Sequence, residues 1–190
     1  MSAQARLLVA VALLLCATHP LHAQSQDAEV LAAAIAYYSS ATSNRSESPL
    51  LVIAGETIEA DRILLDSFER AERPDIPASI IRELRERNAR ARALGEIRLP
   101  AKTMVVRDAI GMIRHVTPAG AEVLDWSPFV HAYPGSQLVQ VAAPAYFTVG
   151  EKALVYFWAG IGQGIQGWLY VLEKRGSEWH VTWSDSPWIA

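Results

Sequence analysis

The sequence predicts an α+β domain, with N-terminal helices packed on a C-terminal antiparallel sheet of about four or five strands. Helix-period patterns with start and stop signals occupy the first half of the chain. From Leu138 onward the pattern changes to short β-prone, aromatic runs separated by glycines. The 190 residues are 51% apolar with a net charge of only −3, a composition that suits one globular domain and excludes a disordered chain.

The first 23 residues are a different kind of segment. Arg6 supplies a basic start, Leu7 to Cys16 is an unbroken apolar run, and Leu21-His22-Ala23 ends on a small residue. This order reads as a signal peptide over 1–23, leaving a single α+β domain over 24–190. The run is too short to span a bilayer as a helix, which needs about 20 apolar residues. Export to the periplasm or the extracellular space is the expected outcome. Cys16 raises the question of lipid attachment, but Leu15 precedes it where a lipoprotein leader places a small residue. It is the only cysteine, so the mature chain relies on its core rather than on disulfides. Losing the leader removes Arg6 alone and makes the net charge more negative, which argues against a nucleic-acid partner. No later segment is apolar for long enough to form a transmembrane helix.

The elements follow in order. Residues 27–41 place Leu31, Ile35 and Tyr38 on one helical face, with Asp27 as an N-cap or first-turn acid. Leu50 to Ala54 is a short apolar run of the kind that forms a buried strand, and Gly55 follows it. A helix is expected over 57–72. A second amphipathic helix starts near Asp75 and Pro77, carries Ile80, Ile81, Leu84, Asn88 and Leu94 along one stripe, and ends at Gly95. Its arginines at 82, 85, 87, 90 and 92 read as a solvated face with pairs such as Arg82–Glu86 and Glu83–Arg87. A strand is expected at 103–107 and a short helix or turn at 125–131, with Pro128 in its first turn. Tyr133-Pro134-Gly135-Ser136 then dictates a turn, because proline presets φ and glycine accepts positive φ.

In the C-terminal third, residues 153–159, 167–174 and 178–184 read as strands. Gly176-Ser177 is a two-residue hairpin tip, which sets Lys174 against Trp179, Leu172 against Val181 and Tyr170 against Trp183. The same register sets Glu173 against His180. Gly162, Gly164 and Gly167 match a bare Gly-x-Gly-x-x-Gly pattern. A dinucleotide site needs a helix after that motif, to present its N-terminus to the pyrophosphate. Here Trp168-Leu-Tyr-Val-Leu172 follows, which is strand-like. A kinase loop would need HRD and DFG elsewhere, and neither occurs. The glycines therefore read as a hairpin loop. Placing Trp158 opposite Trp168 across it would gather Tyr156, Trp158, Trp168 and Tyr170 on one face. That aromatic platform is the candidate binding site, and a packed core face is its structural counterpart.

No metal or cofactor is expected. His115, His131 and His180 lack a second ligand at metal-binding spacing, and no Gly-x-Ser-x-Gly elbow exists. Ser136, Asp125 and His131 lie near one another in sequence only. Glu173 and His180 form a candidate acid–base pair across the last hairpin.

Ile76-Pro77, Asn88, Tyr133 to Ser136, Ala153 to Tyr156, Gly160 to Gly167, Leu172 to Lys174, Trp179 and Trp188-Ile189 form an ordered set. The set resembles a group of secreted or lipid-anchored bacterial proteins with no assigned activity. The resemblance covers roughly residues 74–190 and implies compartment and architecture only. Cysteines often found in the glycine-rich hairpin of that group are replaced here by residues such as Gln163, so no redox role carries over. The expected function is a non-catalytic binding or interaction module of the bacterial envelope, with an envelope ligand or protein as partner. The alternative is a small periplasmic hydrolase or isomerase, with an acid–base site between sheet and helices.

Overall fold

The computed structural model describes residues 26–42, 49–60, 76–162 and 164–189, with side chains through 186. The leader expected over 1–23 and the helix start expected near Asp75 lie outside them. Within the described residues the helices are α1 (26–42), α2 (Ala78–Arg87), α3 (Ala109–Ile113) and α4 (Ser127–Ala132). The strands are β1 (Leu51–Ala54), β2 (Thr103–Val106), β3 (Arg114–Val116), β4 (Glu122–Leu124), β5 (Gln137–Val141), β6 (Ala145–Phe147), β7 (Lys152–Ile161), β8 (Gly164–Arg175) and β9 (Glu178–Ile189).

The fold is α+β, but the sheet is larger than expected and mixed. Seven strands run in the order β2-β1-β5-β7-β8-β9, with β6 pairing β7, while β3 and β4 form a separate hairpin. β1 is parallel to both β2 and β5, and the β5, β7, β8 and β9 pairings are antiparallel. The N-terminal half therefore supplies strands as well as helices. The physical reason lies in β1. All four of its residues are buried, which suits a strand covered on both faces rather than one at the rim of an antiparallel sheet.

Helices cover both faces of the sheet. On one, Leu31, Ala34, Ile35 and Tyr38 of α1 pack with Ile53, Val139, Val155, Phe157, Tyr170 and Leu172. On the other, Ile80, Ile81 and Leu84 of α2 meet Leu154, Tyr156, Leu169 and Val171. Next to them Ile110, Ile113 and Phe129 of α3 and α4 close over Val52 and Leu138. Alternation along each strand feeds the two faces separately.

The stripe expected on α1 is its buried face. α2 is shorter than its sequence pattern suggested, because Asn88 rather than Gly95 ends it. The Asn88 side chain is fully buried and donates to the carbonyls of Leu84 (2.7 Å) and Ala143 (2.9 Å). Its Oδ1 accepts from the Ala143 amide at 2.7 Å. These bonds favour the chain leaving the helix there. Residues 92–94 then run alongside 55–57, with Thr57 N–H donating to Arg92 O at 2.8 Å and Leu94 N–H to Gly55 O at 2.8 Å. The helix expected over 57–72 falls largely outside the described residues. At its start, Ile58 N–H donates to Val141 O at 2.9 Å, so this stretch borders the sheet.

The short helix with Pro128 in its first turn forms as α4. The turn after it also forms, with Gly135 at φ +73°. A third turn joins β6 to β7 and is left-handed, with Thr148, Val149 and Gly150 at φ +53°, +53° and +81°. Gly150 and Glu151 amides donate back to the carbonyls of Phe147 (3.2 Å) and Thr148 (3.1 Å), and Val149 is fully exposed at the tip.

Candidate functional site

The glycine motif is a hairpin. β7 and β8 are antiparallel, Ile161 pairs with Gly164, and Gly162 takes φ +57° at the tip. No helix follows, as the strand-like residues after Gly167 indicated. Gly160 serves close approach, since a Cβ there would lie 2.8 Å from Gly164 O and 3.0 Å from the Ile165 side chain.

The hairpin's register separates the aromatic platform. Phe157 lies opposite Trp168 and Trp158 opposite Gly167, one residue away from the Trp158–Trp168 pairing. A shift of one residue sends side chains to the other face. Tyr156 and Trp158 therefore point to the α2–α4 side, and Trp168 and Tyr170 to the α1 side. Tyr156 and Tyr170 are fully buried, and both tryptophans are half-buried. Tyr170 packs edge-on against Phe157 at 4.9 Å and Tyr37 at 5.3 Å. Its hydroxyl is held above the ordinary tyrosine range by burial first and by neighbouring Tyr37 and Tyr38 second.

In the last hairpin, Lys174 pairs with Trp179, Glu173 with His180 and Leu172 with Val181. A register shift between Val171 and Leu172 then puts Trp183 opposite Val171 and leaves Ser184 opposite Tyr170. Glu173 and His180 do not form an acid–base site. Glu173 lies 3.7 Å from Lys152 and 3.7 Å from Arg175, and His180 lies 3.7 Å from Glu178, all at the surface. Ser136 is buried and donates to Tyr133 O at 2.6 Å. Asp125 accepts from the Ser127 amide at 2.9 Å, which holds its carboxyl below the usual range. His131 is exposed on α4, so no nucleophile–base–acid array forms from these three. Among the described residues no three of His, Cys, Asp and Glu gather as metal ligands.

What the fold does assemble is a groove that sequence patterns did not indicate. It is open to solvent and encloses about 670 Å³. Ala28, Ala32 and Ala33 of α1 form one wall, Gly95, Glu96 and Arg98 the second, and Ser177, Glu178 and Trp179 at the β8–β9 tip the third. Alanine forms most of the α1 wall, and the other two include charged side chains. A Cβ built on Gly95 would meet nothing within 4 Å. A smaller pocket of about 200 Å³ shares Ala28 and Gly95 and reaches Thr57, Arg92 and Ile97. In the sequence Trp179 stands out only as a strand residue opposite Lys174, with no sign of the groove.

A charged network anchors the groove. Asp27 accepts from Arg87 Nη2 at 2.9 and 2.7 Å and from the Tyr146 hydroxyl at 2.7 Å. Arg87 also lies 5.3 Å from the centre of the Tyr146 ring. The Tyr146 hydroxyl is raised well above its ordinary range by burial first and the Asp27 carboxylate second. Its ring sits 6.2 Å from that of Trp179, and Lys174 Nζ lies 5.7 Å from the centre of the Trp179 ring. Trp179 is only 7% exposed, and its indole N–H has no partner among the described residues. The expected Glu83–Arg87 pair is replaced by Asp27–Arg87, and Glu83 accepts instead from the Tyr146 amide at 3.4 Å.

No family model, curated protein or solved structure matches this chain. Among the described residues no helix is long and apolar enough to cross a membrane.

Proposed function

We propose that the protein is an exported binding module of the bacterial envelope, taking its ligand in the groove beside α1. One observation carries this reading. The groove of about 670 Å³ combines small residues, the nearly buried Trp179 and four charged side chains, and none of His115, His131 and His180 lines it. Such a cleft offers apolar area and convergent polar groups without a general acid or base of histidine type. Glu29, Glu96, Arg98 and Glu178 at the rim supply orientation. The aromatic residues first considered for binding, Tyr156, Trp158, Trp168 and Tyr170, serve the core in this reading.

Thermal shift on the purified chain with saccharides, peptidoglycan fragments and short peptides tests the proposal. A ligand at about 100 times its dissociation constant adds roughly 2.7 kcal/mol and raises the midpoint by several degrees. Gly95→Trp should melt like the parent and lose that shift, because Gly95 lines the groove and a Cβ there is unobstructed. A flat response from a cooperatively melting parent, or a shift retained by Gly95→Trp, overturns the groove as the site. Export is tested by intact mass from a bacterial host. A chain beginning at Gln24 is expected, and an uncleaved or Cys16-lipidated chain contradicts it.

A further inference from the structure

The groove beside α1 carries an uneven set of charges. Glu29 stands on the α1 wall, Glu96 and Arg98 on the second wall and Glu178 at the β8–β9 tip. Each wall therefore contributes one carboxylate, and a single guanidinium accompanies the three. All four residues are exposed. Among the described residues no ion pair or side-chain hydrogen bond engages Glu29, Glu96 or Arg98, and Glu178 has only His180 at 3.7 Å. The groove does not neutralise itself, so its charges are available to a ligand.

The remaining lining is apolar or small. Ala28 and Ala32 lie one turn apart on α1 with Ala33 beside them, which leaves a strip that aliphatic stems can cover. The volume of about 670 Å³ falls in the range of small-ligand sites, roughly 300–1,000 Å³. An anionic ligand would meet three carboxylates for one guanidinium. A chain of net charge −3 also draws cations rather than anions toward its clefts.

We propose that the ligand of the groove is a short basic peptide with a free carboxyl end. Its ammonium groups meet Glu29, Glu96 and Glu178, its terminal carboxylate meets Arg98, and its aliphatic stems lie along the alanines. A dipeptide of two lysines answers the groove charge for charge, with three ammonium groups and one carboxylate. The assignment rests on the groove being the binding site.

The test is an amide chemical-shift titration of the purified chain at low ionic strength. The probes are lysyl-lysine, its C-terminal amide, free lysine and glutamyl-glutamate. Lysyl-lysine should move the signals of residues 28–33, 95–98 and 177–179. Glutamyl-glutamate should bind at least about tenfold more weakly, and the amide and free lysine several-fold more weakly. Salt at about 0.5 M should weaken the lysyl-lysine complex, because exposed charges are screened. Glu29→Gln combined with Glu96→Gln removes two carboxylates that have no partner in the fold, and should cost at least about tenfold in affinity. Arg98→Gln should erase the preference for lysyl-lysine over its amide. No shift with lysyl-lysine, equal binding of glutamyl-glutamate or free lysine, or an unchanged affinity in the double glutamine variant would each overturn the proposal. A neutral saccharide that binds in place of lysyl-lysine, and is lost in Gly95→Trp, would overturn the basic peptide and uphold the groove. Failure of every ligand, saccharides included, would remove the groove as well.

Discussion

Asp27 and Arg87 join α1 to α2 through one guanidinium nitrogen, Nη2, which donates to both carboxylate oxygens at 2.9 and 2.7 Å. The Tyr146 hydroxyl completes the set from β6, so the first turn of α1 is tied to two other elements. Removing the carboxylate leaves a cation and a hydroxyl short of partners, which costs more than one exposed ion pair. Asp27→Ala should therefore lower stability by about 2 kcal/mol, and Tyr146→Phe by about 1 kcal/mol. Chemical denaturation of both variants measures this. A loss below about 0.5 kcal/mol for Asp27→Ala would show the network to be incidental.

Asn88 is the polar keystone on the other side of the sheet. Its amide satisfies two carbonyls and one N–H in a site with no access to water. Replacing it with the similarly sized Asn88→Leu leaves all three unpaired. A cost of at least about 3 kcal/mol follows, seen as a lower urea midpoint at unchanged slope. A near-neutral Asn88→Leu would contradict the clamp.

The glycines of the β7–β8 hairpin are not equivalent. A Cβ on Gly160 would press on Gly164 O at 2.8 Å, whereas a Cβ on Gly164 comes no nearer than 3.9 Å to Ile161 O. Gly160→Ala is expected to cost about 1–3 kcal/mol through overpacking against backbone. Gly164→Ala should stay within about 0.5 kcal/mol of the parent. Equal effects in a thermal melt would mean that the close approach is not rigid.

Val149 sits in the left-handed region at φ +53° with its side chain wholly in solvent. A β-branched residue gains nothing there and pays about 1–2 kcal/mol of steric cost. Val149→Asn, which tolerates that conformation, should raise stability by about 1 kcal/mol. Destabilisation in the same assay would show that the turn is not left-handed in solution.

Local features of the fold were legible in the residues themselves. The α1 stripe of Leu31, Ile35 and Tyr38, the Pro128 helix start and the Gly135 turn all follow from periodicity or backbone preference within a few residues. So does the Gly176-Ser177 tip, which correctly sets Lys174 against Trp179. Beyond the shift at Val171, the same counting puts Tyr170 against Trp183, and the structure puts Ser184 there instead. An irregularity of one residue is invisible to alternation yet moves the partner of every residue after it.

The groove was not legible for a related reason. Its lining comes from α1, residues 95–98 and the β8–β9 tip, three distant parts of the chain that share no sequence motif.

What the sequence by itself determined is the mixture of helices and strands, the turns between them, and the rejection of a phosphate-binding loop. Each depends on short-range spacing and backbone preference, which the residues carry wherever the chain goes. Only the tertiary structure decided that β1 and β2 join the sheet in parallel, that Tyr156 and Trp158 part from Trp168 and Tyr170, and that Arg87 answers Asp27 rather than Glu83. Those outcomes depend on which surfaces meet across long separations. There burial and the pairing of polar groups outweigh any local preference, because an unpartnered charge or a misfaced aromatic costs more than a short run of favourable propensities returns.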